Sequence, residues 1–219
     1  MTHAAQHTSA AARKLRTQLQ QLPLVAILRG LTAAEAADVG QTLVDAGFGL
    51  MEVPLNSPHP LDSIATLAER FPQALVGAGT VLTPAQVREV HAAGARLMVS
   101  PNFDAAVLHE ALRLEMACLP GILSPSEAFA ALAAGAHGLK LFPAEMAPPH
   151  ALKALRAVLP PQIPVLPVGG ITPAALAAYH GAGASGFGLG SALYRPGKPL
   201  HELASDAQAF ARAWQALPG

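Results

Sequence analysis

Short apolar runs alternate with alanine-rich amphipathic segments along most of this chain. The runs cover residues 24–28 (LVAIL), 49–55 (GLMEVPL), 74–81 (ALVGAGTV), 96–101 (RLMVSP), 117–122 (ACLPGI), 138–144 (GLKLFPA), 164–170 (PVLPVGG) and 186–191 (GFGLGS). Their starts lie roughly 21 to 26 residues apart, room for a strand, a turn, a helix of about three turns and a second turn. Most are apolar on both faces, as strands covered on both sides must be.

The punctuation agrees. Helix starts are marked by a hydroxyl, often followed by proline, at Thr32, Thr83-Pro84, Ser124 with Glu127, and Thr172-Pro173. Helix ends are marked by glycine at Gly47, Gly94, Gly135 and Gly183, just before the next run. Strand–helix alternation with no hairpin signal predicts a parallel sheet. Eight units followed by one further helix (HELASDAQAFARAWQAL) predict a closed (β/α)8 TIM barrel, a single domain over residues 1–219 with an N-terminal helix. Residues 1–12 read as a polar lead-in, and Arg13, Lys14 and Arg16 as one face of that opening helix. An open doubly wound sheet is the competing arrangement, but LRGLTAAE after the first run is not its G-x-G-x-x-G fingerprint.

Composition narrows the function classes. The 219 residues are 52% hydrophobic and 13% charged, enough for a sizeable core. Lys+Arg and Asp+Glu each total 14, so no overall charge draws the chain to nucleic acid or an anionic membrane. No apolar run approaches a membrane span. The single cysteine, Cys118, excludes an intramolecular disulfide framework and fits a reducing cytoplasm. Nine histidines, among them His59, His91, His109, His150 and His180, show no metal-ligand spacing and read as surface residues, so no metal site is expected. Trp214, Phe210 and Leu217 read as the core stripe of the last helix.

Two charges interrupt this pattern. In the sixth run the period-2 rule puts Leu139 and Leu141 on one face and Lys140 on the other, towards the barrel interior. A lysine there either snorkels out of the strand end or is held neutral by burial, able to attack a ketone and form a Schiff base. In the second run Glu52 points inward by the same rule, with Met51 and Val53 outward. The two opposite charges form either a structural ion pair or a nucleophile with its proton carrier. Both lie near strand C-termini, where barrel active sites are built.

Phosphate signals follow. Gly169-Gly170 end the seventh run, and Gly188, Gly190 and Ser191 end the eighth, the two positions where barrels bind phosphate through backbone N–H groups. Arg29, at the end of the first run, neighbours the eighth run in a closed barrel and is either a phosphate ligand or an exposed loop arginine. Thr80, inward by parity with Val76 and Ala78, offers a hydroxyl to a substrate carboxylate or simply starts a turn. Glu145, just past the lysine run, reads as a solvated loop charge.

Taken in order, LPLVAILRG, MEVPLNSP, VGAGTVLTPAQV, VSPNFD, GLKLFPA, PVGGITP and GLGSALYR resemble the 2-keto-3-deoxy-6-phosphogluconate aldolase family from about residue 22 to residue 213. The resemblance implies a class I aldolase, usually trimeric and needing no cofactor, that cleaves a phosphorylated keto-deoxy sugar acid to pyruvate and D-glyceraldehyde 3-phosphate. It implies Lys140 as the Schiff-base lysine and Glu52 as the general acid and base. It likewise implies Thr80 near the pyruvoyl carboxylate, Pro101 and Phe142 as pocket walls, and Arg29, Gly169, Gly170, Gly190 and Ser191 around phosphate. Two departures point to the galactonate branch of the family: Asn56 stands where the gluconate enzymes commonly carry arginine, and Val168 where they carry threonine. Without that arginine, the carboxylate falls to Thr80 and backbone N–H groups with Asn56 assisting. A sugar-phosphate isomerase using the same pair without a covalent bond, and a silent sugar-phosphate-binding barrel, are the competing functions.

Overall fold

The structure, a computed structural model, describes residues 9–218. In chain order the elements are α1 (Ala10–Gln21), β1 (Leu24–Ile27), α2 (Ala33–Asp45), β2 (Leu50–Pro54), α3 (Pro60–Arg70), β3 (Leu75–Gly79), α4 (Pro84–Ala92), β4 (Leu97–Val99) and α5 (Ala105–Arg113). They continue with β5 (Ala117–Leu119), β6 (Gly121–Ile122), α6 (Pro125–Ala133), β7 (Leu139–Leu141), α7 (Pro149–Arg156), β8 (Val165–Pro167), α8 (Leu176–Gly181), β9 (Phe187–Leu189) and α9 (Leu200–Gln215). All the pairings are parallel. Of the predicted lead-in, residues 10–12 belong to α1, with Ala11 and Ala12 buried, and residues 1–8 lie outside the described residues.

Each predicted run became a strand, one of them in two pieces. Pro120 has no N–H to give a ladder, so the fifth run divides into β5, paired with β4, and β6, paired with β7. The result is a six-stranded ladder ordered β5-β4-β3-β2-β1-β9 and a three-stranded one ordered β6-β7-β8. They meet at the Pro120 break and at a single parallel bridge between Val168 and Gly188. The parallel sheet therefore curls round on itself without a continuous ladder. β1 lies beside β9, which puts the end of the first run next to the end of the last, as expected for Arg29.

Two apolar clusters show which way each strand faces. Met51, Val53, Leu139 and Leu141 join the layer between strands and helices, while Val25, Leu50, Leu75, Leu97 and Leu166 form an inner cluster with Ala11 and Leu15 of α1. Lys140 and Glu52 alternate with the outer set and so face inward. For the third run the inward face is corrected: Val76 and Ala78 belong to the outer layer, and Leu75 faces in. Thr80 continues neither face, because its φ of 58° turns the chain out of the strand.

The helix signals hold locally. Thr83 and Ser124 cap α4 and α6 in capping boxes with Gln86 and Glu127. Thr32 and Thr172 make no cap hydrogen bond; Thr32 donates instead to Glu35 Oε2 at 2.6 Å. The closing glycines Gly47, Gly94, Gly135 and Gly183 all have φ between 90° and 100°. Phe210 is fully buried, and Trp214 and Leu217 pack on the core beside it. His137 departs from the surface placement expected of the histidines: it is half-buried, and its Nδ1 accepts the Cys118 N–H at 3.1 Å.

Candidate active site

Three strand ends supply the central groups. On β7, Lys140 is 7% exposed, with Nζ 4.8 Å from the centroid of the Phe142 ring. On β2, Glu52 is 1% exposed, and its Oε2 is buried without a hydrogen-bond partner. On β3, Gly79 makes room for that carboxylate, since a Cβ there would stand 2.1 Å from Glu52 Oε2. Lys140 and Glu52 face one inner recess, walled by Val25, Val99, Leu119, Leu166 and Val168.

Burial acts on both groups in the direction that makes each neutral. Desolvation raises the Glu52 carboxyl to about 7, against the pull of Lys140 and Arg29. Desolvation likewise lowers the Lys140 amine; Glu52 opposes this and Arg29 adds to it. A carboxyl raised by burial and an amine lowered by it lie closer in proton affinity than the free groups do, which favours general acid–base catalysis. The thiol of Cys118, also buried, is pushed up by desolvation, which disfavours its thiolate.

Above the recess a cavity of about 570 Å³ opens at the strand C-termini. Its lining brings together Arg29, Asn56, Lys140, Phe142, Val168, Gly169, Gly170, Gly190 and Ser191. Arg29 Nη1 donates to Asn56 Oδ1 at 2.6 Å. Gly169 and Gly170, at φ 114° and 61°, form a turn on the cavity wall. Thr80 and Pro101 are not among the lining residues of either space.

Some residues of the site were not singled out from the sequence as functional, and one, Glu145, reads there only as a solvated loop charge. Ser57, buried in the turn after β2, accepts the Gly30 N–H at 2.9 Å and fixes the loop that carries Arg29. Tyr194 and Glu145 line the cavity. The Tyr194 hydroxyl is buried without a partner, and its pKa is pushed up to about 12 by burial and by the Glu35 charge. Glu145 is exposed, as a loop charge should be, yet it stands at the cavity wall; its position right after a strand C-terminus was the available signal. Among the described residues, no group of three or more His, Cys, Asp or Glu is placed to hold a metal ion.

With this geometry in hand, comparison with known proteins is informative. Residues 15–200 match the family model for KDPG and KHG aldolases. The chain is 47% identical over 197 residues to the 2-dehydro-3-deoxy-6-phosphogalactonate aldolase of Escherichia coli K12, covering 89% of this chain and 96% of that protein. It is 46% identical over 198 residues to a probable enzyme of the same name from Rhizobium meliloti strain 1021, covering 90% and 93%. The solved native KDPGal structure superposes with a TM-score of 0.87 at 46% identity, covering 89% of this chain and 95% of that one.

Proposed function

The chain belongs to the KDPG and KHG aldolase family, class I carbon–carbon lyases that act through a Schiff base, and we propose that it cleaves 2-dehydro-3-deoxy-6-phosphogalactonate to pyruvate and D-glyceraldehyde 3-phosphate. The observation that carries this reading is the Lys140–Glu52 pair, buried in one recess beneath an open cavity and desolvated toward neutrality at both members.

The chemistry follows from that pair. Neutral Lys140 attacks the C2 ketone, and Glu52 passes the protons that turn the carbinolamine into an iminium. The iminium then draws in the electron pair as the C3–C4 bond breaks, while Glu52, through a water, takes the C4 hydroxyl proton. The resulting enamine is reprotonated at C3 and hydrolysed, which releases pyruvate and the free amine. Arg29, Gly169, Gly170, Gly190 and Ser191 hold the phosphate and orient the sugar chain. Asn56 steadies the Arg29 fork. Family resemblance assigns Thr80 and Pro101 to the pyruvoyl end, although neither lines the recess or the cavity.

Val168 carries the stereochemical part of the proposal. Its branched side chain packs against Gly188, where a Cβ would stand 2.6 Å from Cγ2, so an apolar wall is fixed at the cavity. A C4 hydroxyl pointing at that wall would lose its partner, which disfavours one isomer. We read the two ladders as one (β/α)8 barrel and the working enzyme as a cytoplasmic homotrimer without a cofactor; exposed Leu82, Leu123 and Phe129 offer apolar surface for such association. No helix among the described residues is long and apolar enough to cross a membrane. Pyruvate release from the galactonate and gluconate isomers, followed through lactate dehydrogenase under identical conditions, tests the reading. Faster turnover of the galactonate isomer is expected; equal or reversed rates would remove the role given to Val168.

A further inference from the structure

The aldol chemistry leaves one carboxylate of the cavity unused. Glu145 sits on a short 3-10 turn, Ala144–Met146, directly after β7. Two hydrogen bonds fix that turn: the Ala144 N–H donates to the Val168 carbonyl at 2.8 Å, and the Tyr179 hydroxyl donates to the Ala144 carbonyl at 2.9 Å. The turn is thus tied to the residue just before the double glycine.

The side chain leans into that double glycine. A Cβ at Gly169 would stand 2.3 Å from Glu145 Oε2, and one at Gly170 would stand 3.1 Å from Oε1. Both glycines have positive φ, 114° and 61°, which favours residues without a Cβ in this turn. Successive N–H groups of such a turn make a concavity suited to an anion. The same cavity wall carries Gly190, Ser191 and Arg29. A carboxylate standing beside the two glycines and a phosphate drawn to their N–H groups would be close neighbours in one cavity, and their charges repel.

We propose that Glu145 is a displaceable counter-anion of the phosphate seat, a specificity-determining residue that competes with phosphate for the Gly169-Gly170 turn and limits how tightly the phosphorylated aldehyde is retained. The inference rests on the reading above in one respect: it takes that turn as the phosphate seat. The carboxylate is exposed on its other side, so it can swing toward solvent when phosphate enters. Removing the charge should then tighten phosphate binding without touching the pyruvate end.

The test compares the full chain with Glu145→Gln and Glu145→Ala, each checked for an unchanged melting curve. Inorganic phosphate binding is read by titration calorimetry, and apparent KM values for glyceraldehyde 3-phosphate and pyruvate by condensation kinetics. One unit charge about 5 Å away in a partly wet cavity corresponds to roughly a tenfold change in affinity. Both variants should bind phosphate and glyceraldehyde 3-phosphate about that much more tightly, with the KM for pyruvate unchanged. Unaltered or weakened phosphate binding in both variants would overturn the inference, and a raised KM for the sugar phosphate would assign Glu145 to hydroxyl recognition instead. Failure of the parent chain to bind phosphate would overturn the phosphate seat and this inference together, even if pyruvate with borohydride still labels Lys140. Absence of that label with the phosphate effect intact would sink the aldolase reading alone.

Discussion

At the N-terminal ends of the strands, α1 lays Ala11, Leu15 and Leu19 against Val25, Leu50, Leu75 and Ala117, so the inner space is closed by apolar side chains. At the C-terminal ends the same inward face carries Glu52, Lys140 and two glycines at left-handed φ beneath an open cavity of about 570 Å³. Leu50 and Glu52 are two residues apart on one strand and point the same way. One contributes burial, the other bears its cost. Sealing one end with hydrocarbon lets the fold tolerate a carboxyl and an amine at the other, where desolvation pushes both toward neutrality at a cost in stability. A separate cavity of about 490 Å³ beside α1, lined by Lys14, His91, Arg96 and Glu115, contains neither Lys140 nor Glu52.

Substitutions at the two ends should therefore separate activity from stability. The largest effect belongs to Lys140→Met, which keeps the volume and removes the amine: pyruvate release should fall to background, and borohydride with pyruvate should no longer add mass to the peptide bearing position 140, while the protein stays folded. Next is Glu52→Gln, expected to lower kcat by about 10²- to 10⁴-fold in the coupled assay. Gly79→Ala should follow, since its Cβ would stand 2.1 Å from Glu52 Oε2; a displaced carboxylate is expected to cost on the order of 10²-fold in kcat. Loss of activity in neither of these two variants would break the comparison.

At the closed end, Leu15→Ala removes a side chain that is 1% exposed and should destabilise the fold by roughly 2–5 kcal/mol in denaturant titration. Its KM values should not move. The mildest effect is in pH dependence. The Glu52 carboxyl is raised from an unfolded value near 4.5 to about 7, so its contribution to stability is fully present below 4.5 and is lost as pH rises through 7. Glu52→Gln cannot ionise and should show a smaller fall in Tm between pH 5 and pH 8 than the parent chain. An equal fall in both would show that Glu52 is not the group responsible.

Much of this was legible in the sequence, residue by residue. Lys140 and Glu52 stood out because a single charge in a short apolar run has only two directions, and their flanking Leu139, Leu141, Met51 and Val53 had already claimed the helix side. Thr80 was misplaced for the complementary reason. In LVGAG both faces are buried, and period 2 alone cannot say whether Val76 and Ala78 or Leu75 and Gly77 look inward. Only contact with α3 on one side and α1 on the other resolved it. The break at Pro120 was visible as a residue, but not its consequence, that one run serves two ladders. Glu145 was read by its exposure, and that was right; its nearness to Gly169-Gly170 depends on the Ala144–Val168 hydrogen bond between segments 24 residues apart.

By itself, then, the sequence determined the alternation of strands and helices, the caps and closing glycines, and the inward aim of the two central charges, since each is set by neighbours within a few positions on the chain. Only the tertiary structure decided which groups share a cavity, in which direction desolvation shifts Glu52 and Lys140, and that Arg29 engages Asn56 while Glu145 leans on the Gly169-Gly170 turn. Those properties come from separate strand ends meeting in space, and burial and electrostatics depend on that meeting, not on the order of residues.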